Sequence, residues 1–295
     1  MKNLNLVGKY KMWFAISLAV IIAGLGIALT SGLNMGIDFT GGTQMQIDIK
    51  EPFETSEMRD VLKEFDMDED ILQAGAEKTE MIIRTKVSLE NEVRIQITEK
   101  VQGLYPNAEF RGAEQFGPSV GVEIQKKALL AILYASVGML LYITFRFEIV
   151  YGVSAIVALI HDILILLAIY AIAGIPINSS FIAAVLTVVG YSINDTIVVF
   201  DRVRENVKAG VKGDYFEIAN KSLNQTITRS LNTSITTALV IGCLYFLGVE
   251  AIKVFALPLF AGVIAGTYSS IFIASPTWAI IKTAVKKRKS AYKAG

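Results

Sequence analysis

One histidine and one cysteine occur among 295 residues, and these two scarcities remove most enzymatic readings at once. A zinc protease needs a His-Glu-x-x-His helix, which His161 alone cannot supply. A disulfide framework within the chain needs paired cysteines. Cys243 has no mate, falls inside an apolar block and reads as membrane core. No Ser/His/Asp order and no phosphate-binding glycine loop is present. An intramembrane aspartyl protease would need two facing aspartates. Asp162 and Asp195 are the nominees, but neither sits in a Gly-rich Asp motif, and a nearby arginine would hold Asp195 ionised. Charge is nearly balanced, 28 basic against 27 acidic residues, with no long basic run outside the apolar flanks, so nothing points to nucleic acid. Catalysis, a bound metal and a cofactor are not expected.

Hydrophobic residues, by contrast, make up 53% of the chain. They gather in six blocks, near 13–30, 128–145, 149–175, 180–200, 230–249 and 254–281, each about as long as crossing a roughly 30 Å bilayer core requires. Lys2, Lys9 and Lys11 before the first block resemble the start of a secretory signal. The run from Trp13 to Leu29 is too long for one, however, and Thr30-Ser31-Gly32 is a poor cleavage site, so an uncleaved first helix is expected. Basic residues cluster at the N-terminus, in a loop at 201–226 (Arg202, Arg204, Lys208, Lys212, Lys221) and in the tail (Lys286, Lys287, Arg288, Lys289). The turn "AGIPINSS" is uncharged and "GVEAIK" carries one charge of each sign. The bias of Lys and Arg toward one side then predicts six crossings with both termini cytoplasmic.

The expected organisation is a first crossing in 1–31, an external domain at 32–121, a five-crossing bundle at 122–283 and a basic tail at 284–295. Within the external domain "TQMQIDI" alternates Met45, Ile47 and Ile49 at the period of a half-buried strand. "TSEMRDVLKEF" places Met58, Val61, Leu62 and Phe65 on one helical face. "ILQAG" and "MIIRT" flank a polar turn as a hairpin. A second helix aligns Val93, Ile97, Val101 and Leu104, opening at Ser88 and stopping at Gly103 and Pro106. "AEFRGAEQF" supplies a last strand. The order β-α-β-β-α-β predicts a ferredoxin-like α+β domain, which implies no chemistry by itself.

The informative residues are polar groups inside the apolar blocks. "VLTVVGYSINDTIVVF" carries Asn194 and Asp195, and a carboxylate at bilayer depth costs about 2.5–3.5 kcal/mol on insertion scales. Asp195 lies roughly 14 residues past the outer start of its block, about 21 Å along a helix. Thr187, Tyr191, Ser192, Asn194 and Asp195 fall on one flank. In "QTITRSLNTSITTAL" Gln225, Arg229, Thr233, Thr236 and Thr237 share a face, and Arg229 reaches a depth similar to that of Asp195. A carboxylate–guanidinium pair follows, and a carboxylate whose arginine partner moves away can bind and release protons. His161 beside Asp162 is a further candidate proton site. The bland reading of all these groups is interhelical glue.

At these residues the chain closely resembles the SecF family, the smaller subunits of SecDF protein-export complexes, which are related to the RND transporter superfamily. "MGIDFTGGTQMQI" resembles the family signature through Gly36, Asp38, Phe39, Gly41 and Gly42. "FGPSVGVEIQKKA" resembles its entry to the second helix. "VVGYSINDTIVVFDRVREN" with "NQTITRSLNTSITT" resembles its fourth helix and the start of its fifth. The resemblance implies a membrane α-helical bundle, six helices forming an RND-like half, with an external domain. It implies ion coupling at Asp195 and Arg229, with Thr233 on the same route; Tyr191, Asn194, His161 and Asp162 are read from their own placement as ion-path or helix-contact residues. It also implies H⁺ or Na⁺ as the transported ion, and SecD, the SecYEG translocon, YajC and unfolded preprotein as partners, at the bacterial inner membrane. Gly41-Gly42 reads as a hinge between helix and domain. The expected function is force-driven assistance to protein export. The rivals are a passive scaffold and, more weakly, half of a small-molecule RND exporter, for which the external domain is too small.

Overall fold

The computed structural model describes residues 4–65, 70–75 and 77–294, with the side chains of 289 and 291–294 excepted. Lys2 lies outside the described residues, as does the side chain of Lys289.

After α1 (Tyr10–Thr30) the chain leaves the bundle, makes a short helix α2 (Ile37–Thr40) and enters a four-stranded sheet. The strands are β1 (Gly42–Asp48), β2 (Ile71–Ala74), β3 (Glu80–Thr85) and β4 (Glu109–Phe116). α3 (Thr55–Leu62) follows β1, and α4 (Asn91–Leu104) follows β3. Every pairing is antiparallel and the order is β2-β3-β1-β4, the ferredoxin-like arrangement. The alternation in β1 does what its period dictates. Met45 and Ile47 point into a core with Met58, Leu62, Ile83, Ile97 and Val101, while Gln44 and Gln46 reach across the other face to Arg84 and Glu80. α4 opens three residues later than its Ser88 signal. Thr43 holds the intervening turn by accepting from the Leu89 amide and donating to the Val87 carbonyl. The short α2 carries no periodicity long enough to be read in the sequence.

The bundle comprises α1, α5 (Pro118–Arg146), α6 (Ile149–Ala173), α7 (Ser179–Lys208), α8 (Tyr215–Leu247) and a sixth span. That span runs as α9 (Glu250–Ser269), one π turn (Ser270–Ala274) and α10 (Ser275–Ala294). All six spans are long and apolar enough to cross a membrane. α6, α7 and the sixth span form the interior. α1 and α5 lie outside and expose most of their apolar surface.

The segment 201–226, expected as a loop, is helical except at 209–214. α7 continues to Lys208, and α8 is capped by Asp214, whose side chain accepts from the Glu217 amide while the Glu217 carboxylate accepts from the Asp214 amide. Charged residues beyond the apolar stretch simply extend both helices, because this capping box satisfies the otherwise orphaned amides of α8. Cys243, expected as membrane core, is exposed on the outward face of α8, away from the buried positions of that helix, which include Ser222, Leu223, Thr226, Ser230, Ser234 and Gly242.

Candidate functional site: a buried carboxylate and a histidine–aspartate pair

Asp195 sits on the inward face of α7 and is 7% exposed. Its carboxylate faces the Ser230 hydroxyl on α8 and Ser270 in the π turn. Yet its Oδ2 atom has no hydrogen-bond partner among the described residues, and neither has the Ser230 hydroxyl. Ser270 instead donates to the Gly266 carbonyl at 2.6 Å. A buried carboxylate oxygen left open in this way, facing an equally unpartnered serine hydroxyl, is a place that a proton or a small cation would suit.

The expected pair with Arg229 is not formed. Arg229 lies on the exposed face of α8, outside ion-pair distance of the described carboxylates, though its charge is near enough to act on Asp195. The reason is a one-residue turn of the helix. Ser222, Thr226, Ser230 and Ser234 recur every fourth residue and claim the buried face, which leaves Gln225, Arg229 and Thr233 on the adjoining exposed face. Thr233 donates its hydroxyl proton to the Arg229 carbonyl at 2.9 Å. The flank of α7 divides in the same way. Ser192 and Asp195 are buried, Tyr191 is half-buried, and Asn194 and Thr187 are exposed. The Tyr191 hydroxyl lies 3.3 Å from that of Ser234, and the Thr267 hydroxyl on α9 lies 2.6 Å from the same serine, so α7, α8 and α9 share one hydroxyl node.

His161 and Asp162 lie together on α6, both buried. His161 Nδ1 is 3.0 Å from Asp162 Oδ1, and Nε2 is 2.9 Å from Ser17 Oγ on α1. Asp162 Oδ2 accepts from Ser192 at 2.6 Å and from Ser269 at 2.8 Å. The His161 ring stacks on Tyr268 with centroids 5.7 Å apart. One residue pair thus ties α1, α7 and α9 to α6. Sequence reasoning missed Ser17, Ser230, Ser234, Tyr268, Ser269 and Ser270. For α8 the four-residue spacing was the available signal; for Ser269-Ser270 only the doublet inside an apolar run was.

The "MGIDFTGG" residues lie at the junction of domain and bundle. The Gly36 amide donates to the Ile177 carbonyl, and Asp38 accepts from the Ser179 amide at 2.7 Å, at the first residue of α7. Phe39 is buried in the bundle core with Phe181 and Tyr170. Gly41 and Gly42 both have positive φ, +83° and +149°.

Residues 96–284 match the family model described as protein export membrane protein SecD/SecF, C-terminal, and residues 26–52 match the SecD/SecF GG motif. Similar curated proteins include the protein translocase subunit SecF of Calditerrivibrio nitroreducens, 39% identical over 97% of this chain and 96% of that protein. That of Petrotoga mobilis is 37% identical over the whole of both. Among solved structures, the chain is similar to SecDF from Thermus thermophilus, a translocon-associated membrane protein, with a TM-score of 0.80 and 35% identity. A second SecDF structure, in a super-membrane-facing form, gives a TM-score of 0.76 and 34% identity. The chain is covered to 95% and 98% in these two comparisons but spans only 39% and 40% of the SecDF chains. With a family model over more than half its length and full-length relatives above 30% identity, the chain belongs to the SecF family of protein export membrane proteins.

Proposed function

We propose that the chain is a non-enzymatic auxiliary subunit of the Sec translocase that, joined to SecD, uses an ion gradient to assist preprotein export. The carrying observation is the open Oδ2 of Asp195, a buried carboxylate oxygen without a donor in a helix that crosses the membrane. Binding of H⁺, or of Na⁺ among the hydroxyls of Ser230 and Ser270, would give that oxygen a partner and change the charge between α7, α8 and the π turn. Arg229 supports the same reading. An arginine facing lipid costs about 2.5–3.5 kcal/mol at mid-bilayer, so its exposed face calls for a polar cover, and the second RND-like half contributed by SecD is the proposed occupant. The proposed orientation puts both termini in the cytoplasm and the α+β domain outside the bacterial inner membrane, where it meets the preprotein emerging from SecYEG. YajC is a further proposed partner. The proposed function needs no cofactor.

The test uses inverted membrane vesicles carrying this chain with SecD. Preprotein export is followed with a proton gradient, a sodium gradient and neither, for the wild type and Asp195→Asn. Loss of gradient stimulation in an assembled Asp195→Asn complex, with ATP-driven export retained, is the expected result. Stimulation that survives would make Asp195 structural and the chain a passive scaffold.

A further inference from the structure

The contacts around His161 bear on its proton count as well as its ring position. The Trp13 main-chain carbonyl only accepts, so Tyr268 donates its single hydroxyl proton there, at 2.8 Å. The Tyr268 oxygen accepts in turn from Ser17, at 3.2 Å, and that bond uses the only proton of Ser17. Ser17 Oγ can then meet His161 Nε2, 2.9 Å away, only as an acceptor, which requires a proton on Nε2. The other ring nitrogen lies 3.0 Å from Asp162 Oδ1, and a hydrogen bond there needs a second proton, on Nδ1 or on the carboxyl group. A neutral imidazole beside an ionised carboxylate has one proton for these two bonds. With the Ser17–Tyr268 bond kept, the three contacts together need two.

We propose that His161 and Asp162 form a second proton-binding site, separate from Asp195, and that it is loaded in this conformation. The loaded pair is net neutral in both of its forms, an imidazolium beside a carboxylate or an Nε2-protonated imidazole accepting from a protonated Asp162. Release of one proton leaves the Nδ1–H imidazole beside a carboxylate, with a net charge of −1. Nε2 then becomes an acceptor, and Ser17 must turn its hydroxyl toward it and abandon Tyr268. Loading is thereby written into one interhelical bond, Ser17 on α1 to Tyr268 on α9.

The surroundings suit a site that is neutral when loaded. The groups contacting the pair are Ser17 from α1, Ser192 from α7, and Tyr268 and Ser269 from α9. All are hydroxyl-bearing, Tyr268 is the titratable one, and none of these four carries a formal charge. The inference does not depend on Asp195 coupling ions to export.

His161 is the chain's only histidine, so nitrogen-15 labelling of histidine gives one assigned pair of ring signals without any mutation. The full chain in lipid vesicles is titrated while the protonation of Nδ1 and Nε2 is read by magnetic resonance. A proton on Nε2 at neutral pH is expected, whether or not Nδ1 is also protonated, with conversion to the Nδ1–H form as pH rises. Tyr268→Phe frees the Ser17 proton, so the Nδ1–H form should appear at lower pH than in the wild type. Asp195→Asn should leave the signals in place. A wild-type ring that stays in the Nδ1–H form from acid to alkaline pH would overturn the proposal. So would loss of the Nε2 proton in Asp195→Asn, because the proton would then belong to the Asp195 site.

Discussion

Gly42 holds φ at +149°, and a Cβ there would sit 2.2 Å from the Thr85 carbonyl oxygen and 2.9 Å from the Ile37 side chain. Both the backbone and the space exclude alanine, and the backbone term alone is about 1–3 kcal/mol. Gly103, exposed in α4 with nothing near its missing Cβ, is the opposite case. Gly42→Ala is expected to lower the thermal midpoint of the α+β domain, whereas Gly103→Ala should raise stability by about 0.5–1 kcal/mol. The infrared β-sheet band of the full chain reads both, because among the described residues the chain has one sheet.

Charge acts at the same scale. Arg111, and after it Lys50, hold the Asp48 carboxyl down to about 2 from an ordinary 3.8. A folded-state value below the unfolded one stabilises the domain above pH 4, and that contribution disappears as pH falls from about 4 toward 2. In Asp48→Asn that part of the acid sensitivity should be missing from the same infrared melt. Among single residues, the ionisable ones inside apolar runs (Asp195, His161, Asp162) were legible in the sequence, since their insertion cost makes them conspicuous. The serines that surround them were not, because a hydroxyl crosses a membrane almost unnoticed by bonding to its own helix, as Ser154 does to the Val150 carbonyl.

Elements were legible where periodicity was long. The two helices and four strands of the α+β domain follow their patterns, and each apolar block corresponds to a span. What periodicity could not give was rotation. Arg229 and Ser230 are neighbours in sequence, and which of them faces Asp195 is decided by how α8 packs on α7 and α9. The π turn was equally hidden, since five residues of mixed Ser, Ile, Phe and Ala carry no local signal for the wider turn that presents Ser270 to Asp195. Close approach of α1 to α6 rests on Gly24, whose Cβ would lie 2.3 Å from the Ala168 main chain. Without a hydrophobic drive between helices in lipid, such small-residue contacts carry the association. Gly24→Ala should therefore cost about 1–3 kcal/mol in detergent unfolding, while Gly26→Ala, with open space around it, should be nearly silent.

Across the whole molecule, the α+β domain and the bundle meet through main-chain bonds, Asp38, the buried Phe39 and the packing of β2 on α9. The sequence suggested a hinge at Gly41-Gly42. Beside those glycines the structure also has a clamp, with Asp38 accepting from the first amide of α7, the helix that carries Asp195 sixteen residues later. An acidic side chain at a helix N-terminus is also favoured by the helix dipole. Asp38→Ala should cost about 0.5–2 kcal/mol locally and release the Ser179 amide to hydrogen exchange while leaving protection near Asp195 intact. Unchanged exchange at Ser179 would show that Asp38 does not hold the domain to α7, leaving that task to the other junction contacts, the Gly36–Ile177 main-chain bond and the buried Phe39 among them.

The exposed thiol of Cys243 has a practical consequence of its own. Because the chain has one cysteine and it lies on the outer face of α8, a nitroxide attached there marks each molecule once, with no background to remove. Magnetic dipolar coupling between such labels arises only when two chains come within range. Cys243 is thus a built-in counter of copies in any assembly this chain joins.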